Sequence, residues 1–301
     1  MFKDIRKNKI ESGIIIGIFI LVITLIVYYI CNALNLGTFS IVLALIFSIS
    51  SAWASYYYSD KIVLSVNHAR PATKEEDRQL VNILDALMIS AGLPCKPRLY
   101  VVDDAQPNAF ATGRNPENAV ICVTTGLLEK LDYYELEGVI AHEMSHIKNY
   151  DIRLSCVVSV MVGFIVMLSD MFSRALFWGG LNDDNDSDSK GNGFLMIIGL
   201  IFLILSPIFG SLMQLALSRK REFLADSTAA EITRNPDGLI SALQKLEGDP
   251  NQLKTANSAT ANMYIVNPFK NSTKEGKKKS TSLWSTHPST ADRIEALRNL
   301  K

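Results

Sequence analysis

The chain has 301 residues, with 30 lysines and arginines balanced by 30 aspartates and glutamates, and 48% of its residues are hydrophobic. A net charge of zero removes the electrostatic case for a nucleic-acid partner. The length leaves room for a membrane part beside a soluble domain.

The hydrophobic residues are unevenly spread. No charged residue occurs between Ser12 and Ser59. One bilayer crossing takes about 20 apolar residues, so this run predicts two spans, 13–34 and 38–58, turning at Asn32, Asn35 and Gly37. It lacks a small-residue cleavage site and leads straight into a second apolar stretch, so it reads as an anchor rather than a cleaved signal peptide. The segment 60–153 opens with a predicted helix. The capping box Thr73-Lys-Glu-Glu76 starts it, Gly92 ends it, and Leu80, Ile83, Leu84, Leu87 and Ala91 form its apolar face. Three short β runs follow, 98–102, 108–112 and 119–123, punctuated by Pro107 and by the polar stretch 113–118. A helix is predicted over 133–150, running on towards a third apolar stretch, 154–178. That stretch is uncharged except for Asp170 and Arg174, which stand four apart and can neutralise each other.

The acidic loop 182–188 separates the third stretch from a fourth, 193–218, which carries no charge. Beyond it the chain reads as helices over 218–232, 237–246 and 289–300, with a lysine-bearing solvated loop at 271–282. Lys3, Arg6, Lys7 and Lys9 precede the first span and Arg219, Lys220 and Arg221 follow the fourth, so the basic ends belong in the cytoplasm and the acidic loop outside. Four crossings then put both termini on the cytoplasmic side of a multi-pass membrane protein. Cys31, Cys95, Cys122 and Cys156 form no CxxC and no disulfide framework.

The most informative residues are His142-Glu-Met-Ser-His146. On a helix, residues four apart share a face, so the two imidazoles can be directed at one ion. Glu143 is turned by about 100° and is placed to take a proton from a water there. The plainer alternative is a surface helix with two solvated histidines. Against it, Leu136, Val139, Ile140 and Ala141 are apolar, and two of the chain's four histidines fall in this one turn. A half-buried histidine pair needs partners, and a metal supplies one.

A catalytic zinc takes a third protein ligand and keeps a fourth position open. The remaining histidines are His68 and His287, and a carboxylate serves equally well. The best candidate is Glu222 in Ser218-Arg-Lys-Arg-Glu-Phe-Leu-Ala-Asp226. Glu222 and Asp226 stand four apart on a helix, so one can bind the ion while the other orients a ligand histidine through its second ring nitrogen. From these residues alone, an exposed, charge-balanced helix start is an equal alternative.

His142–His146, followed after a long gap by the Ser218–Asp226 motif and flanked by apolar hairpins, resembles the HtpX-type membrane zinc metalloproteases, relatives of the CAAX prenyl protease. The resemblance covers essentially the whole chain. It includes Pro107-Asn-Ala-Phe-Ala-Thr-Gly113 before the zinc helix and Thr286-His-Pro-Ser-Thr-Ala-Asp-Arg293 near the end. It implies His142, His146 and Glu222 as ligands of one Zn2+ and Glu143 as general base. It further implies that Asn108 and its strand hold the substrate backbone by β-pairing, and that His287 and Arg293 stabilise the oxyanion. By spacing alone, Asn108 reads as a turn residue, His287 as a helix-start residue and Arg293 as a surface helix residue. His68 matches no motif and reads as structural or solvated.

The expected fold is α+β: a mainly helical zincin-like metalloprotease domain with a small β-sheet, combined with four transmembrane helices. The expected organisation is a transmembrane hairpin at 1–59, a cytoplasmic protease segment at 60–153, a second hairpin at 154–218 and a second protease segment at 219–301. The expected function is a zinc-dependent endopeptidase of the cytoplasmic membrane. Its partners would be the lipid bilayer and protein or peptide substrates, with membrane or misfolded proteins hydrolysed in quality control. A dedicated processing protease for one peptide or lipidated precursor is the alternative within enzymes. A non-enzymatic membrane adaptor is the alternative outside them, and the intact Glu143 argues against it. A transporter is disfavoured because paired broken helices are missing.

Overall fold

The uncharged run folds into α1 (Phe2–Ala33) and α2 (Phe39–Tyr57), with Gly37 between them at φ 62°. The computed structural model describes residues 2–33, 37, 39–179, 219–254, 259–269 and 288–300. Within α1 and α2, Ile5–Tyr28 and Phe39–Tyr57 are long and apolar enough to cross a membrane. Their faces are sorted for hydrocarbon rather than water. On α2 the small residues Ser40, Ala44, Ser48, Ala52 and Ser55 are buried, while Ile41, Val42, Ile46, Phe47 and Ile49 face outward. Small residues let two helices approach closely in lipid, and the hydroxyls of Thr24 and Ser48 meet between them at 2.6 Å.

Among the described residues, two of the four expected crossings, those of α1 and α2, are helices that meet the requirements of a span. The third apolar stretch does form a helix, α7 (Asp151–Gly179). Its first turns are used in protein packing, with Leu154, Val157, Val158 and Met161 set against Ile15, Phe19 and Ile23 of α1. The fourth stretch, 193–218, lies outside the described residues.

After α3 (Ser59–Val66) come β1 (Arg70–Pro71), α4 (Lys74–Ala91), β2 (Arg98–Val102), β3 (Ala109–Thr112) and β4 (Val120–Thr124). The capping box of α4 forms as its residues predict, and Gly92 ends the helix at φ 64°, a left-handed position open to glycine. The sheet order is β1-β2-β4-β3, with β2 and β4 parallel and the two other pairs antiparallel. β3 is therefore an edge strand. A two-residue strand such as β1 leaves no periodic trace in the sequence.

Among the described residues the remaining α-helices are α5 (Thr125–Lys130), α6 (Tyr133–Lys148), α8 (Arg219–Thr233), α9 (Pro236–Glu247) and α10 (Thr290–Arg298). Leu80, Ile83, Leu84 and Leu87 of α4 share one core with Ile121 and Val123 of β4, Leu136, Val139, Ile140 and Met144 of α6, and Leu243 of α9. On the other face of the sheet, Phe110 and Cys122 pack with Val63, Leu64, Cys156 and Tyr264. α6 and α9 cross at touching distance. A Cβ on Gly138 would come within 2.7 Å of the Leu239 nitrogen, and one on Gly238 within 2.5 Å of the Tyr134 oxygen. Tyr150, at φ 60°, breaks the path between α6 and α7, so they are two helices rather than one.

Candidate metal centre

α6 is begun by Asp132, whose side chain accepts from the Glu135 amide while Glu135 accepts from the Asp132 amide. Glu135 also takes Ser241 at 2.5 Å and Lys245 at 2.6 Å, which ties the start of α6 to α9. With that end fixed, the next turns carry His142 and Glu143 into the interior, at 1% and 2% exposure. α8 lies across α6 and brings Glu222 and Asp226, both buried, to the same place.

His142 Nε2 and His146 Nε2 are 3.2 Å apart. The Glu222 carboxylate lies 3.8 Å from the first and 3.6 Å from the second. Among the described residues this trio is the group whose ligand atoms converge within 4.8 Å. Each ring is held from behind by a carboxylate: His142 Nδ1 is 2.9 Å from Asp226, and His146 Nδ1 is 3.0 Å from Asp151. A carboxylate accepts a hydrogen, so the neutral rings carry theirs on Nδ1 and point Nε2 lone pairs at each other and at Glu222. Three acceptors facing one point require a cation. Donors about 2.0–2.1 Å from a tetrahedral zinc stand roughly 3.4 Å from one another, and the spacings here match. The residues fit zinc.

The electrostatics agree. Burial pulls His146 down, but the hydrogen bond to Asp151 and the charges of Glu222, Asp151 and Glu143 outweigh it and lift its pKa to about 9. His142 is pulled down by burial and by Arg293 against the opposing pull of Asp226. Burial pushes Glu143 up to about 7, with Glu222 adding to the rise and His146, Arg293 and a hydrogen bond from the Ala111 amide opposing it. A cavity of about 30 Å³ adjoins these groups, lined by Ala111, His142, Glu143, His146, Glu222 and Ile265 among others.

Arg293 lies at the centre, at 2% exposure and not on the surface. Its Nε and Nη2 take both oxygens of Asp226 at 2.8 and 2.6 Å, and Nη1 donates to the Ile265 carbonyl at 3.0 Å. Nη2 is also 3.4 Å from His142 Nδ1, and Nη1 is 3.9 Å from Glu222. Asp226, which burial alone would raise, is held below the usual carboxylate range by Arg293 and His142.

Asn108 is buried at the start of β3. Its Nδ2 donates to the Val266 carbonyl at 2.8 Å, and its Oδ1 accepts from the Val266 amide at 3.3 Å. The Ile265 amide donates to the Ala109 carbonyl at 2.9 Å. The Tyr264–Val266 segment thus covers the Asn108 end of the β3 edge, while the Ala111 end faces the cavity. His287 lies outside the described residues. His68 is exposed at φ 53°, where it follows α3.

Sequence reasoning missed Asp151 and the Tyr264–Val266 segment. Asp151 stands five residues after His146, and only the left-handed Tyr150 turns it back onto the ring. The segment meets β3 across about 158 residues of chain, a distance over which no local pattern speaks.

The model of peptidase family M48 matches residues 74–301. The chain is 43% identical over 297 residues to the protease HtpX homolog of Dictyoglomus thermophilum, covering 99% of this chain and 94% of that one. It is 41% identical over 315 residues to the protease HtpX homolog of Listeria monocytogenes serotype 4b, covering both chains in full. Among solved structures it is similar in fold to S. mikatae Ste24p, with a TM-score of 0.51 at 20% identity, covering 99% of this chain and 67% of that one. By sequence, by fold and by its pair of histidines and a glutamate, the chain belongs to peptidase family M48, among the HtpX-type metalloproteases.

Proposed function

We propose that this metalloprotease is a zinc-dependent endopeptidase that cleaves membrane or misfolded proteins at the cytoplasmic face of the membrane. The observation that carries the reading is the convergence of His142, His146 and Glu222 beside the buried Glu143 carboxylate. When bound by these ligands, zinc supplies a Lewis acid that polarises a carbonyl and acidifies water.

Glu143 removes the proton from the attacking water and returns it to the leaving amine. Burial raises the Glu143 carboxyl above the ordinary carboxylate range, which favours giving the proton back as well as taking it. Asp226 and Asp151 hold the two histidines in the tautomer that leaves Nε2 free for the metal. Arg293, expected from the resemblance to stabilise the oxyanion, has its donors directed at Asp226 and Ile265, so we assign it the role of fixing Asp226. His287 keeps the oxyanion role that the resemblance implies. Asn108 shapes the substrate edge by pinning Val266, and the substrate backbone pairs with β3 at Ala111.

The test is cleavage of casein by detergent-purified protein, wild type beside Glu143→Gln, after chelation and zinc reloading. Cleavage by the wild type alone is expected. Equal cleavage by Glu143→Gln in a clean preparation would rule out the assigned base.

A further inference from the structure

Asn8 lies near the start of α1 and is buried, although its neighbours Lys7 and Lys9 are exposed. Its Nδ2 donates to Asp151 Oδ1 at 2.6 Å and to the Asn149 carbonyl at 2.9 Å. Its Oδ1 accepts from Arg221 Nη1 at 3.0 Å. The other oxygen of Asp151 is the one that holds His146 Nδ1 at 3.0 Å. Arg221 directly precedes Glu222 on α8. One amide therefore touches residues of both segments that carry a ligand or its support, 141 and 143 residues away in sequence on one side and 213 on the other.

Chemistry favours a specific role over packing. A buried amide is costly unless its donors and acceptor are used. One turn on, among the described residues, the buried Ser12 bonds only the Asn8 carbonyl within the helix, at 2.7 Å, and the inward positions beyond it, Ile15 and Phe19, are apolar. A carboxylate bonded on one side only can rotate. Donation to Oδ1 leaves Asp151 one orientation, with Oδ2 on the imidazole. We propose that Asn8 is a positioning residue of the metal centre: it orients Asp151 and, through it, His146, so that α1 forms part of the site as well as an anchor. This rests on the zinc-peptidase reading above.

The test uses full-length protein in detergent: wild type, Asn8→Ala and Asn8→Asp. Asn8→Asp is nearly isosteric and keeps the acceptor for Arg221. It removes both donated hydrogens and sets a second carboxylate against Asp151. Zinc affinity by chelator competition should fall about 5- to 20-fold in Asn8→Ala and at least as far in Asn8→Asp, by analogy with losses at residues that orient metal ligands. The visible spectrum of the cobalt-substituted protein should change, and kcat should fall more than KM rises. A packing role alone predicts Asn8→Asp close to wild type in all three. In an Asp151→Asn background, Asn8→Ala should cost nothing further, because its route to His146 is already cut.

Wild-type zinc affinity and an unchanged cobalt spectrum in both Asn8 variants would overturn the inference and leave the peptidase reading standing. A further loss from Asn8→Ala in the Asp151→Asn background would overturn the route through Asp151. A wild type that takes up no zinc would overturn both readings together.

Discussion

His142 and His146 owe their orientation to carboxylates outside the pentapeptide. Asp226 and Asp151 each occupy an Nδ1, and Arg293 in turn occupies both oxygens of Asp226. Asp226→Asn or Asp151→Asn should therefore weaken zinc about 10- to 100-fold while every direct ligand stays in place; chelator competition measures this, and unchanged affinity would mean the carboxylates do not orient the rings. His146 adds a pH dependence. In the metal-free protein its pKa is lifted to about 9, so below that pH a proton must leave before zinc can bind. Zinc affinity should rise with pH by about tenfold per unit through the neutral range, and a flat profile would contradict the assigned partners of His146. At this scale the sequence was legible where chemistry is local. Two histidines and a glutamate within five residues announce themselves, and Glu222 with Asp226 repeats the four-residue step. Arg293 read by spacing as a surface residue and is buried, because its partner Asp226 is 67 residues away.

Among elements, the crossing of α6 and α9 decides where the ligand turns sit. Gly138 faces the backbone of Leu239 with no room for a methyl group. Gly138→Ala should force the helices apart and cost about 1–3 kcal/mol, read as a lower unfolding midpoint; a neutral result would place the crossing elsewhere. The start of α4 is tied to the sheet by Arg70, which takes both oxygens of Glu76 at 2.8 Å and also binds Asp103. The hydrogen bond from Arg70 holds the Glu76 carboxyl at about 2, below its ordinary 4.5. A depressed carboxyl pKa stabilises the fold above the ordinary value and loses that contribution as pH falls through the folded one. Arg70→Met should therefore melt earlier than wild type near neutral pH, with the two curves converging as pH approaches about 2. Capping chemistry made α4 readable in advance. The box at Asp132 and Glu135 is as plain in the sequence as that at Thr73, and it sets the start of α6. Strand ends shifted by a residue because β pairing is decided by partners outside the strand, as with β4 beside β2 and β3.

For the whole molecule, the apolar face of α2 turned away from the protein, with small residues within, is the pattern of a helix surrounded by lipid. Hydropathy marks 154–178 as an apolar stretch, and the opening turns of α7 pack on α1, a pairing that no one-dimensional profile records. The proposed orientation has a native probe in Cys95, which is exposed on the metalloprotease side. A membrane-impermeant maleimide should label it in inverted vesicles and spare it in intact cells; the reverse pattern would turn the topology over. On the proposed reading, His142, His146 and Glu222 together hold the catalytic metal. The most direct test is zinc stoichiometry in the purified full-length protein, wild type beside Glu143→Gln and Glu222→Ala. One zinc per chain in the first two and almost none in the third is the predicted result. Full zinc in Glu222→Ala, or none in the wild type, would contradict it.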